Sequence, residues 1–141
     1  MSKAVVREYV ARFNRGDSDG LRELFHDHAQ VHEATGWLDL EQVIPVWGQA
    51  IDGLGVDLDI EHIIAEEDSI ALLYTERGWS RASYLGRPVT GRSYELPAVD
   101  WFVIEEGRIA RQWRVRDRAS MARQLGWDES RPAPSSIASI A

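Results

Sequence analysis

The sequence has no cysteine, which excludes a disulfide framework, a thiolate metal site and a cysteine nucleophile. Chemistry is left to carboxylates, histidines, hydroxyls and arginines. No apolar run approaches the roughly 18 to 20 residues that cross a bilayer, and the first ten residues alternate charge with valine instead of building a signal core. Basic residues are in the minority, 16 Lys and Arg against 23 Asp and Glu for a formal charge of −7, and such a surface repels phosphate backbones. Neither nucleic acid nor membrane is expected as a partner, and a cytoplasmic, non-exported protein is the default expectation. There is no G-x-S-x-G elbow, no phosphate-cradling glycine loop and no dinucleotide fingerprint. Hydrolase-elbow, kinase and nicotinamide-dependent classes therefore lose support.

What is present fits one soluble domain: 141 residues, 44% hydrophobic and 28% charged. Val6, Tyr9, Val10 and Phe13 recur at helical spacing and predict a helix over 3–14. Asp17 or Ser18 suits the cap of a second helix that buries Leu21, Leu24 and Phe25 and stops near a His26-Asp27-His28 turn. Residues 29–34, with Val31 between polar neighbours, read as a short strand or extended segment, and Gly36-Trp37 as a loop. Asp39 followed by Gln42 has the form of a capping box for a helix carrying Val43, Val46, Trp47, Ala50 and Ile51. Pro45 in its second turn implies a later start or a bend.

After Gly53 and Gly55 the period changes to two. Strands are expected over 56–65 and 69–79, with 81–85 extending the second, then over 92–105 with a bulge or bend at Pro97, and over 108–116. A short helix over 117–125 closes at Gly126. Helices followed by hairpin-connected strands imply an α+β domain, a curved antiparallel sheet wrapped around the N-terminal helices. The domain is expected to span 1–127, with a mobile tail rich in Ser, Ala and Pro over 128–141.

Asp100 interrupts the apolar run of 97–104. A carboxylate between apolar walls has a raised pKa that suits a general base or acid, although a structural ion pair with an arginine would look the same. Alternation puts Ala110, Gln112, Arg114 and Arg116 on one face of the next strand, so Arg114 can meet Asp100 across the sheet, as a structural partner or as an oxyanion stabiliser. His26, His28 and His32 invite a metal reading, but their spacing matches no ligand motif. His32, deepest in its segment, is the candidate for a hydrogen-bonding or proton-shuttling role in a pocket. Tyr74 and Glu76 share a face and are candidates for the pocket wall. The six tryptophans, Trp47 and Trp113 among them, together with Phe102, suggest an aromatic-lined cavity for a planar or polycyclic ligand.

Several strings resemble the SnoaL-like polyketide cyclases of the nuclear-transport-factor-2-like superfamily, over about 5–126. They are Phe13-Asn-Arg-Gly-Asp17 with Leu21 and Leu24-Phe25, then Tyr84-Leu-Gly-Arg-Pro-Val-Thr-Gly-Arg92, and above all Phe102-Val-Ile-Glu-Glu-Gly-Arg-Ile109 with Trp113 and Arg123-Gln-Leu-Gly126. The resemblance implies a cone-shaped fold enclosing a pocket, and an intramolecular aldol closure started by a carboxylate base without metal or cofactor. It also implies a homodimer. The family's base aspartate follows the Trp113 position, where this chain has Arg114. The family's partner histidine falls at Asp100 and an early polar residue at His32. Asp117 matches a recurrent aspartate and suits a helix cap.

The resulting expectation is a cofactor-independent cyclase or isomerase acting on a hydrophobic, polyketide-like carbonyl compound. Asp100 would be the base, Arg114 and His32 its partners, and Tyr74, Glu76, Trp113, Phe102 and Trp47 the substrate contacts. A non-catalytic binding protein with the same pocket is one alternative. An epoxide-opening enzyme of the same fold is another, weakened by Val115 where a second aspartate would stand.

Overall fold

The computed structural model describes residues 2–33 and 36–127. The tail expected over 128–141 lies outside the described residues. Helix α1 (Ser2–Asn14) buries Val6, Tyr9, Val10 and Phe13, the stripe its spacing predicts. Asn14 ties its end to the sheet, donating to the Leu58 carbonyl at 2.8 Å and accepting from the Leu58 N–H at 2.7 Å. Helix α2 (Ser18–Arg22) is shorter than expected, capped by Asp17 through the Gly20 N–H.

Phe25 opens a strand instead of closing that helix. The expected His26-Asp27-His28 turn and the extended segment after it form β1 (Phe25–Glu33), and Gly36-Trp37 belongs to β2 (Gly36–Asp39). The reason is non-local: β1 hydrogen-bonds to a strand about eighty residues later, and that ladder outweighs local preference. Asp39 and Gln42 form the anticipated capping box of α3 (Leu40–Leu54). Pro45 lies inside α3 without ending it, on the exposed face, where the carbonyl it leaves unbonded can be hydrated.

Strands β3 (Asp57–Glu66), β4 (Ser69–Trp79), β5 (Ser93–Glu105) and β6 (Arg108–Arg116) follow, then α4 (Arg118–Leu125), with Asp117 as its cap. Residues 81–85 do not extend β4. They form an irregular connection with one isolated bridge, Tyr84 to Arg87. The register of β4 and β5 runs unbroken through Thr75–Pro97, so Pro97 makes no bulge. Pairing with β6 begins one residue later, at Ala98, so the proline sits where β5 has only one neighbour. The register shifts fall elsewhere, between Phe25 and Gln30, between Ile60 and His62 and between Val103 and Ile104.

The six strands form one curved, unclosed sheet in the order β2-β1-β6-β5-β4-β3. Its ladders are antiparallel except β1 with β6, which is parallel. Helices α1 and α3 cover the inner face, where Tyr9 packs its ring 5.3 Å from Phe102 and 5.7 Å from Trp47. Among the described residues no helix is long and apolar enough to cross a membrane.

Gly78 shows how closely β4 approaches α3. A Cβ there would lie 2.5 Å from the Leu54 carbonyl oxygen and 2.7 Å from the Tyr94 ring. Gly78→Ala is therefore expected to destabilise the domain by about 1–2 kcal/mol, the overpacking cost less what alanine gains by restricting the unfolded chain. A urea titration checks this through the midpoint. An unshifted midpoint would mean that β4 and α3 separate at little cost.

Candidate active site

The inner face of the sheet carries a row of charged side chains that a core of this kind ordinarily excludes. Asp100 and Arg114 are direct cross-strand partners on β5 and β6. Asp100 is fully buried. It accepts from the Tyr74 hydroxyl at 3.0 Å through Oδ1 and from Gln112 Nε2 at 3.0 Å through Oδ2, with Arg114 Nε at 3.5 Å. Burial pushes its carboxyl up to about 6, against the opposing pull of Arg114 and the bond from Tyr74.

Arg114 radiates from this point. Its Nη1 donates to Glu33 Oε1 at 3.0 Å and its Nη2 to the Tyr74 oxygen at 3.2 Å, and Nη2 lies 3.8 Å from Glu76 Oε1. Its plane sits over the rings of Trp47 and Phe13, 5.7 and 5.9 Å from their centres. Glu76 in turn takes both a 2.8 Å and a 2.7 Å bond from Arg116, and a bond from the Tyr94 hydroxyl. Burial alone would raise the Glu76 carboxyl, but Arg116 and Arg114 outweigh it and hold it below its ordinary value. Three carboxylates thus face two guanidiniums, an excess of one negative charge when all are ionised.

Glu33 differs from the other two acids. Trp47 Nε1 donates to its Oε1 at 3.1 Å, and Arg114 uses the same oxygen. No side chain among the described residues bonds Oε2. Glu33, Arg114, Arg116, Glu76 and Trp47 line an enclosed cavity of about 20 Å³ with Phe13 and Tyr84, enough for one or two waters and far smaller than a polycyclic ligand requires. Glu33, Arg114 and Arg116 also line an open recess of about 380 Å³ at the ends of β1 and β6, together with His32, Trp113 and Arg118. That volume is within the roughly 300–1,000 Å³ of small-molecule sites.

Of the residues selected from sequence, the structure brings Asp100, Arg114, Tyr74 and Glu76 into one network and places Trp47 over it. Asp100 and Tyr74 lie behind Arg114 and line neither cavity. Phe102 packs deeper in the core against Tyr9. His32 and Trp113 do not reach the enclosed cavity. They are register partners on the outer face, with Trp37 edge-on to both rings at 5.1 Å, and they meet the site only at the recess. Side chains alternate between faces, so the neighbour Glu33 points inward where His32 cannot. Glu33, Arg116, Gln112 and Tyr94 were not selected from sequence. The available signal for Glu33 was its shared parity with Ala29 and Val31, and for Arg116 its shared parity with Arg114. Among the described residues no group of His, Asp and Glu side chains has the arrangement to hold a metal ion.

A curved, unclosed sheet folded over two helices defines an α+β domain of the cone-fold class. The sequence profile of the SnoaL-like polyketide cyclases matches residues 3–125, and the chain belongs to that family. A search of curated proteins finds no significant match. Among solved structures, IdmH of Streptomyces antibioticus, described as a proposed polyketide cyclase, superposes with a TM-score of 0.78 at 26% identity, over 89% of this chain and 99% of its own. AclR of Streptomyces galilaeus, described as a proposed hydroxylase, gives 0.81 at 21% over 89% and 95%. A proposed polyketide cyclase of Xanthomonas campestris gives 0.80 at 20% over 88% and 96%. Family membership supports an enzyme role, and the two lower-identity structures establish the fold alone.

Proposed function

We propose that this protein is a cyclase or isomerase that works with its own side chains on a polyketide-like carbonyl compound, removing a proton α to the carbonyl at Glu33 and Arg114, which line both the cavity and the recess. The observation that carries this reading is the free Oε2 of Glu33 beside the guanidinium of Arg114. A carboxylate with one uncommitted oxygen on the cavity wall can reach a substrate proton. Asp100, fully enclosed, cannot. Geometry precedes pKa in choosing a base, so the base assigned to Asp100 from sequence moves to Glu33. Asp100 becomes the positioning residue that, with Tyr74, fixes Arg114 from behind.

Chemically, Glu33 Oε2 takes the α-proton and the C–H electron pair becomes an enolate. The enolate oxygen's charge is met by the largely buried guanidinium of Arg114. In an intramolecular aldol closure the enolate carbon attacks a second carbonyl of the same molecule, and the proton on Glu33 returns to the alkoxide. In an isomerisation it returns to carbon.

The test uses methyl 3-benzoylpropionate, an aryl ketone with an exchangeable α-methylene, incubated with the protein in D2O. Protein-dependent deuterium uptake at the α-carbon, followed by proton NMR, is the expected result. Tight binding of the ester with no uptake above buffer would overturn the reading in favour of a binding protein. The homodimer expectation is supported by Leu73 and Val99, exposed cross-strand partners, and by Trp101 beside them on the outer face. Sedimentation measures it directly.

A further inference from the structure

The recess at the ends of β1 and β6 holds cations, Arg116 and Arg118, that the proton transfer does not use. Arg114, Arg116 and Arg118 come together there, with Glu33 the one acid in its wall. Glu33, Asp100 and Glu76 more than offset Arg114 and Arg116. Arg118, half-buried, has no bonded carboxylate among the described residues. Asp117, next to it in sequence, is committed to the Ser120 N–H at 2.9 Å. The recess is therefore not basic as a whole, but it holds one half-buried guanidinium without a bonded carboxylate among the described residues, on a chain of net charge −7, a local point of attraction for a small anion.

We infer that the recess binds a carboxylate carried by the substrate, held by Arg116 and Arg118, while the ketone of the same molecule reaches Arg114 and Glu33. This rests on the proposed proton transfer for the position of the ketone. Arg114 and Arg116 share a face two residues apart on β6, a separation of roughly 6.6 Å along the strand, and a ketone and a carboxylate two carbons apart span a comparable length. The fork of Arg118 suits a carboxylate, with Arg116 adding its charge from beside it while its own Nε and Nη2 stay on Glu76. The Trp113 and Val115 side chains at the recess offer an apolar wall to the rest of the molecule. The substrate class is therefore a keto acid, not its ester.

The experiment compares 3-benzoylpropionate with its methyl ester by calorimetry or ligand-observed NMR. The acid is expected to bind about tenfold more tightly, the value of one charge-assisted contact. Its advantage is expected to fall as salt rises, because the recess is open to solvent. In Arg118→Gln the acid-to-ester ratio is expected to drop toward one. Equal affinities in the unmodified protein, no binding of the acid, or a preference untouched by Arg118→Gln would each overturn the inference. Deuterium uptake into the ester without any preference for the acid removes the recess and leaves the proton transfer standing. Preference for the acid with no uptake into either compound does the reverse.

Discussion

Glu33→Gln is expected to slow α-proton exchange by about 10²- to 10⁴-fold at pH 7, the usual contribution of a positioned general base, while the protein remains folded. The amide keeps an oxygen to accept from Trp47 Nε1 and Arg114 Nη1, the two bonds that Oε1 makes now. Removing one negative charge brings the buried network of Glu33, Glu76, Asp100, Arg114 and Arg116 to balance, so no uncompensated charge is left inside. The loss should therefore fall on the rate. Asp100→Asn leaves Arg114 in place with Tyr74 and Glu76 still around it, and should cost no more than about tenfold by loosening the guanidinium. The two variants discriminate between the acids. If Asp100→Asn abolishes exchange and Glu33→Gln does not change it, the base is Asp100 and the cavity must open far enough to reach behind Arg114.

The partial legibility of this site has a geometric cause. Asp100 and Arg114 could be paired from sequence because β5 and β6 are joined by the short Glu106-Gly107 turn, which leaves little freedom of register. Tyr74 and Glu76 were legible for another reason, their shared parity at the end of the apolar run 71–75, since the connection over 80–92 between β4 and β5 fixes no register. Glu33 reaches Arg114 across 81 residues of chain, through a parallel ladder whose register shifts between Phe25 and Gln30. Nothing local fixes the face of such a strand, and an error of one residue exchanges His32 for Glu33. Cavity size was not legible either. Six tryptophans record aromatic content, whereas the space depends on where they pack, and Trp47 fills the room that a flat ligand would need. The extent of the helices was legible where capping chemistry was explicit, at Asp39 with Gln42 and at Asp117. It was lost at Phe25, where a distant strand outcompeted the helical pattern.

The same network makes a second large prediction, on stability. A fully buried Asp100 whose carboxyl is pushed up to about 6 from an ordinary 3.8 binds its proton more tightly in the native than in the unfolded chain. Its contribution to stability is present in full below the unfolded value and is lost as pH rises through the native one, the reverse of an exposed, salt-bridged aspartate. A shift of about two units corresponds to roughly 3 kcal/mol, of which about 2 kcal/mol is lost between pH 4.5 and 7.5. Glu76, held below 4.5 by Arg116 and Arg114 against the effect of burial, acts with the opposite sign and in a lower window, since its contribution disappears as pH falls beneath 4.5. Asp100→Asn removes the ionisation without removing the shape. The new amide oxygen accepts from Tyr74, and Gln112, whose Oε1 has no partner now, can turn its amide to accept from the new N–H and from the Tyr9 hydroxyl. The variant should therefore gain about 2 kcal/mol on the unmodified protein as pH goes from 4.5 to 7.5, read by urea unfolding at each pH. A difference independent of pH would show that Arg114 keeps Asp100 ionised throughout. The network would then be a permanently charged clamp on Arg114 with no proton held in reserve.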